Sequence, residues 1–167
     1  PGVEAAAVGL TLPYERALAT PFDRLDVAAA CAQWPGWEAA EARARALYAG
    51  PDFPALGVRE TQAKYISVPD LEVQLATLKW RWPDLRRLLC AQLFTGAEVK
   101  RRLDAVGAPS EPEQIGISRV CLRDSVIRAQ HIRRRFTVLD LAVRTGCLDR
   151  WLEELFGVGC LWDAAAR

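Results

Sequence analysis

The chain has 167 residues, 51% of them apolar, which is enough to bury one hydrophobic core and predicts a single domain. Its 22 Lys and Arg against 21 Asp and Glu leave no electrostatic reason to expect nucleic acid or a membrane surface as partner. No apolar run reaches the roughly 20 residues of a spanning helix, and the amino end lacks a basic region followed by a hydrophobic stretch, so a soluble, cytoplasmic protein is expected.

Nearly every periodic segment has helical spacing. Val3 to Ala19 is Ala-rich and amphipathic, and Gly9 and Pro13 predict either one kinked helix or two short ones. Asp26 can cap a short helix that runs through Gln33 and is ended by the Trp34-Pro35-Gly36 turn. From Trp37 to Tyr48 the spacing places Trp37, Ala40, Ala44 and Leu47 on one side, with Glu38, Glu41, Arg43 and Arg45 largely on the other; Gly50, Pro51 and Pro54 then break the helix.

A short helix is predicted over Val58 to Tyr65. Ser67 and Pro69 open a longer one with Leu71, Leu75, Leu78 and Trp82 at helical spacing. Pro83 interrupts that pattern, which predicts a bend near Trp82 and a new helix over Pro83 to Phe94 that packs Leu85, Leu88, Leu89 and Leu93 inward.

Thr95 and Glu98 form a capping-box pattern, and Gly107 closes the helix that follows. Ala108 to Gly116 reads as an ordered connector. Ser118 caps a helix to about Arg133, with Val120, Leu122, Val126, Ala129 and Ile132 as its candidate buried face. Thr137 caps the next helix, Gly146 ends it, and Leu148 to Phe156 forms the last, closed by Gly157. No run combines period-two alternation with β-branched residues and turn dipeptides, so the fold class is all-α, a single bundle of short helices joined by Pro and Gly turns over residues 1–167.

The five cysteines at 31, 90, 121, 147 and 160 are scattered, odd in number and without a CxxC pair, and read as reduced core thiols rather than disulfides or metal ligands. Met is absent, so the numbering is expected to start after a removed initiator or inside a longer precursor. The six tryptophans read as core and interface packing; only Lys79-Trp80-Arg81-Trp82 has the interleaving that base stacking would want.

His131 is the only histidine, and it neighbours Arg128, Arg133, Arg134 and Arg135, whose positive field would oppose its protonation and metal binding. A structural or surface histidine is therefore the plainer reading, beside a functional one. The arginines read either as solvated cations near a helix end, pairing with acids such as Asp124 and Asp140, or as a contact for an anion or a partner subunit made by His131, Arg133 and Arg135. A dinucleotide site would need a glycine-rich turn between a strand and a helix, and the chain contains none.

The phrases GAPSEPEQIGIS at Gly107 to Ser118 and AQHIRRRFTVLDLAVRTGCLD at Ala129 to Asp149 resemble the carboxyl-terminal part of sn-glycerol-1-phosphate dehydrogenases, in the superfamily of iron-containing alcohol dehydrogenases and dehydroquinate synthases. The likeness is best over residues 34–156 and covers only the helical domain of such an enzyme. It implies a shared structural position for Arg133, Arg135 and Thr137, with Phe136 in place of the usual Tyr. It also implies a metal site of one Asp and two His, the second His opening a His-Gly-x-x-Val-Gly stretch. Glu4 stands in that place here, in Glu4-Ala5-Ala6-Ala7-Val8-Gly9, and could serve only as a shared ligand; its plainer reading is a favourable charge in a first helical turn.

What the resemblance implies is a helical subunit of a split NAD(P)- and Zn²⁺- or Fe²⁺-dependent dehydrogenase for a small alcohol or ketone, phosphorylated or not. A nucleotide-binding-domain partner would supply the cofactor and most metal ligands, through an apolar face left open on this chain. The alternatives are a catalytically inactive interaction or regulatory module, including a homo-oligomer, and a fragment of a full-length enzyme of that kind.

Overall fold

The computed structural model describes residues 2–48 and 54–159, apart from the side chains of 2–10 and 54. These residues form helices α1 (Gly2–Ala19), α2 (Val27–Ala32), α3 (Trp37–Leu47), α4 (Pro54–Gln62), α5 (Val68–Gln92), α6 (Gly96–Ala105), α7 (Arg119–Ala129), α8 (Val138–Arg144) and α9 (Leu148–Phe156), with single 3₁₀ turns at Phe22–Arg24 and Pro112–Ile115. No strand occurs among the described residues, so the chain is all-α. No described helix is long and apolar enough to cross a membrane.

Helix ends follow local chemistry closely. Asp26 accepts the Ala29 amide at 2.9 Å, Ser67 that of Asp70 at 3.3 Å and Ser118 that of Cys121 at 3.2 Å, each satisfying a first-turn donor that has no intrahelical partner. Thr95 accepts the Glu98 amide at 3.1 Å, but the reciprocal half of the expected box does not form: the Glu98 carboxylate turns to Arg101 and Arg102. A carboxylate from α1 completes this end instead, where Glu15 Oε1 takes the Gly96 amide at 2.6 Å. Gly107, at φ 68°, closes α6 in a Schellman turn; its amide donates to Asp104 O and that of Ala108 to Leu103 O. The connector beyond is ordered through Ser110, whose hydroxyl donates to Asp104 at 2.6 Å and accepts from Lys100 at 2.7 Å.

Of the two proline expectations, the single-helix alternative for the first segment holds and the break at Pro83 does not. α1 is one helix with Pro13 inside it, and α5 runs continuously through Pro83. Pro83 removes one hydrogen bond, to the Lys79 carbonyl, yet both flanks of α5 are held: Leu71, Leu75 and Trp82 are buried, and Arg86 donates to Leu18 O at 2.8 Å. Tertiary contacts outweigh the local penalty. Pro54, expected as a breaker, opens α4, where its missing amide costs nothing; Gly50 and Pro51 lie outside the described residues.

The core centres on three aromatics. Phe22 is fully buried, meets Trp82 edge-on at 4.8 Å between ring centres and lies 6.3 Å from Trp151. Around them pack Leu12 of α1, Leu139 and Ala142 of α8, and Leu148, Leu152, Leu155 and Phe156 of α9. α9 is the clearest case of pattern becoming structure, since Leu148, Trp151, Leu152, Leu155 and Phe156 recur at helical spacing and are all buried, each large side chain contributing about 1.5–3 kcal/mol. A smaller cluster of Ala30, Leu71 and Leu75 joins α2 to α5. α3 and α4 pack chiefly on each other and add no residue to either cluster.

Some expected inward positions face out. Leu85 and Leu88 on α5 are 38% and 49% exposed, and Val120 and Ile132 are 51% and 49% exposed, because α7 ends at Ala129 rather than Arg133 and packs through Leu122, Val126 and Ile127. Of the described cysteines all are free and only Cys147 is buried; Cys90 and Cys121 are exposed, and Cys160 lies outside the described residues.

Candidate functional site

A cavity of about 70 Å³ lies between the α3–α4 hairpin and the corner where α7 meets α8. Its apolar wall carries Trp34, Ala40, Ile127, Val143 and Leu148, and its polar wall Arg43, Thr61, Lys64, Gln130, His131 and Asp140. Aromatic stacking fixes one edge: Trp34 lies 5.7 Å from Tyr65, Trp37 meets Tyr65 edge-on at 5.3 Å, the Trp34 indole donates to Ile66 O and the Tyr65 hydroxyl to Pro35 O.

Asp140 organises the polar wall. As the third residue of α8 it closes a capping box with Thr137, its Oδ2 accepting the Thr137 amide at 2.7 Å and hydroxyl at 2.9 Å. Its Oδ1 accepts Gln130 Nε2 at 3.0 Å and pairs with Lys64 Nζ at 2.7 Å, and Lys64 also donates to the Gln130 carbonyl. Lys64 and Asp140 are both buried, so this ion pair stands only because each charge is also hydrogen-bonded. The sequence suggested arginine partners for Asp140; the structure gives it Lys64. Arg144 braces the same turn, with Nη2 on Lys64 O at 2.7 Å, Nη1 on Gln74 Oε1 and its guanidinium 4.8 Å from the Phe136 ring.

His131 is 6% exposed, which settles the choice between surface and interior. Its Nδ1 lies 2.7 Å from Thr61 Oγ1, and that hydroxyl donates its one hydrogen to Gly57 O, also at 2.7 Å. Nδ1 is therefore assigned as the donor, which leaves Nε2 as a bare acceptor. Burial first, and then Lys64 and Arg43, push the imidazole down to about 4 against an opposing pull from Asp140, so it is neutral at pH 7. The opposing cations are thus Lys64 and Arg43, rather than the neighbouring arginines in sequence. Tyr48 sits edge-on to His131 at 6.3 Å and donates to Arg128 O at 2.6 Å; Gly57 permits this approach, because a Cβ there would come within 2.6 Å of the Tyr48 ring.

The other predicted site residues fall elsewhere. Arg133 and Arg135 are exposed and do not line the cavity, while Arg134 between them reaches the buried carboxylate of Glu60 at 3.4 Å. Glu4 belongs to the first turns of α1 and its side chain lies outside the described residues. Sequence reasoning missed Arg43, Thr61 and Lys64, which reach the site from positions far earlier in the chain than His131 and Gln130, Thr61 lying 70 residues before His131 and Lys64 66 before Gln130, and carry no spacing that would join them.

For a metal or dinucleotide the described residues do not fit. No group of three or more His, Cys, Asp or Glu among them could hold an ion, and no strand leads into a glycine-rich turn. What the cavity does offer is a hydrogen-bonded wall, a neutral imidazole acceptor and the guanidinium of Arg43. Comparison with protein-family models, with curated proteins and with solved structures gave no match.

Proposed function

We propose that the chain is the helical part of a two-part NAD(P)- and metal-dependent dehydrogenase for a small alcohol or ketone, phosphorylated or not, and that it works only against a nucleotide-binding part. The resemblance of Gly107 to Ser118 and Ala129 to Asp149 to the helical domain of sn-glycerol-1-phosphate dehydrogenases motivates the reading. The cofactor and most metal ligands are assigned to the other part.

The observation that carries it is a row of exposed apolar side chains along α5. Val73, Trp80 and Leu88 are 68%, 72% and 49% exposed and recur along α5 within about 80° of arc at 3.6 residues per turn. Thr77 and Asp84 lie between these side chains and Arg81 stacks on the Trp80 ring at 4.3 Å, so the row has an amphipathic Trp-Arg centre, a composition enriched at interface hot spots.

The experiment is purification from the native host under mild conditions, followed by weighing the complex and identifying its chains by mass spectrometry. A nucleotide-binding chain that co-purifies, and that gives NAD(P)-linked oxidoreduction only when combined with this one, supports the proposal. Trp80→Glu is then expected to weaken the pair at least tenfold. Recovery as a monomer or a homo-oligomer without such a chain would refute it and leave the catalytically inactive interaction module as the reading.

A further inference from the structure

We infer that the cavity between the α3–α4 hairpin and the α7–α8 corner is a binding site for a short-chain monocarboxylate, with the carboxylate on Arg43 and the hydrocarbon body among Trp34, Ile127, Val143 and Leu148. This stands apart from the dehydrogenase reading and does not depend on it.

Charge sets the class of ligand. The lining holds three cations, Arg43, Lys64 and Arg144, against the single carboxylate of Asp140. Asp140 is saturated by Lys64, Gln130 and Thr137 and has nothing left to offer Arg43. Arg144 is committed to Gln74 and to Lys64 O. Arg43 lies on an exposed turn of α3, lines the cavity and has no ion-pair partner among the described residues. A planar guanidinium fork over an apolar recess matches a carboxylate, which it can hold through two parallel hydrogen bonds.

The imidazole argues for one negative charge rather than two. His131, which lines the cavity, gives its Nδ1 hydrogen to Thr61, so the neutral imidazole has no N–H left to donate to a second anionic oxygen, which disfavours a phosphate dianion. Size sets the body: the 70 Å³ here is roughly half of the ~150 Å³ that takes up benzene, which leaves room for about three carbons beyond the head.

The test is a titration of the purified chain with butyrate at constant ionic strength, beside butyramide and inorganic phosphate. It is followed by the ring resonances of His131, unambiguous because the chain has one histidine. Butyrate is expected to shift them saturably, while butyramide and phosphate do not. Arg43→Gln is expected to weaken butyrate about tenfold or more, the loss of a charge-assisted pair, with the thermal midpoint unchanged because Arg43 is exposed. Ala40→Leu, which narrows the recess from a half-buried wall, is expected to abolish the response while circular dichroism stays that of the parent. The inference is overturned by no saturation at about 20 mM, where a millimolar site would be filled. It is equally overturned by Arg43→Gln binding like the parent, or by phosphate or butyramide binding as well as butyrate. None of these results bears on which chains co-purify.

Discussion

Acidification should expose His131 as the most pH-sensitive element of this fold, and the effect can be isolated by His131→Asn, whose side-chain amide retains a donor for Thr61 but does not titrate. In the folded chain the imidazole is pushed down from 6.5 to about 4. The unfolded chain takes up the proton at about 6.5, so between pH 6.5 and 4 the unfolded state holds more protons and stability falls as pH falls. The contribution is complete above pH 6.5, diminishes down to about 4 and is flat below; at about 1.4 kcal/mol per pH unit it amounts to roughly 3 kcal/mol. Urea unfolding followed by circular dichroism at pH 7.5, 6, 5 and 4 gives the assay, with parent and variant compared at each pH. Titrating carboxylates such as Glu98, held low by Arg101 and Arg102, and Glu113, held low against burial by its own backbone amide and then by Arg119, are common to both proteins and cancel in the difference. The parent should lose roughly 3 kcal/mol more than His131→Asn between pH 7.5 and 4. Parallel stability curves, or a His131 resonance that titrates near 6.5 in the folded protein, would refute the burial argument.

Three further outcomes are expected. Asp140→Ala leaves the Lys64 charge buried without its counter-ion and removes the α8 capping box; a loss of about 3–5 kcal/mol in urea unfolding is expected, and less than 1 kcal/mol would show that water replaces the carboxylate. Phe22→Ala empties the fully buried site beside Trp82 and Trp151 and should cost about 3–5 kcal/mol by the same measurement, unless the two indoles collapse into the gap. Pro83→Ala gives α5 back the hydrogen bond to the Lys79 carbonyl at an exposed position; a gain of about 1 kcal/mol in calorimetry is expected, and a loss would mean that the ring is needed where it stands.

Where sequence reading succeeded, the deciding chemistry was local. The caps at Asp26, Ser67, Ser118 and Thr137 and the stops at Gly107, Gly146 and Gly157 each depend on a few consecutive residues, and each stands where the pattern placed it. Failures came where distant parts of the chain decide. Pro83 breaks an isolated helix but not one clamped by Leu71, Trp82 and Arg86, and Leu85 and Leu88 share the apolar pattern of their neighbours without sharing a wall to pack on. The cavity was legible through His131 alone. Nothing in the sequence around Lys64 points to Asp140, and only the fold brings the two together. Of the tryptophans, Trp82 and Trp151 are core as expected, Trp80 is open to solvent, and Trp162 lies outside the described residues.

The α3–α4 hairpin, tied to the remainder through Tyr48 to Arg128, Thr61 to His131 and Glu60 to Arg134, has a different kind of anchorage from the rest of the bundle. Polar ties of this kind contribute about 0.5–1.5 kcal/mol each and can be released one at a time, whereas the aromatic centre dissolves only when the whole fold does. The hairpin is therefore a separate opening unit, whose amides should exchange with solvent through excursions that leave α8 and α9 protected.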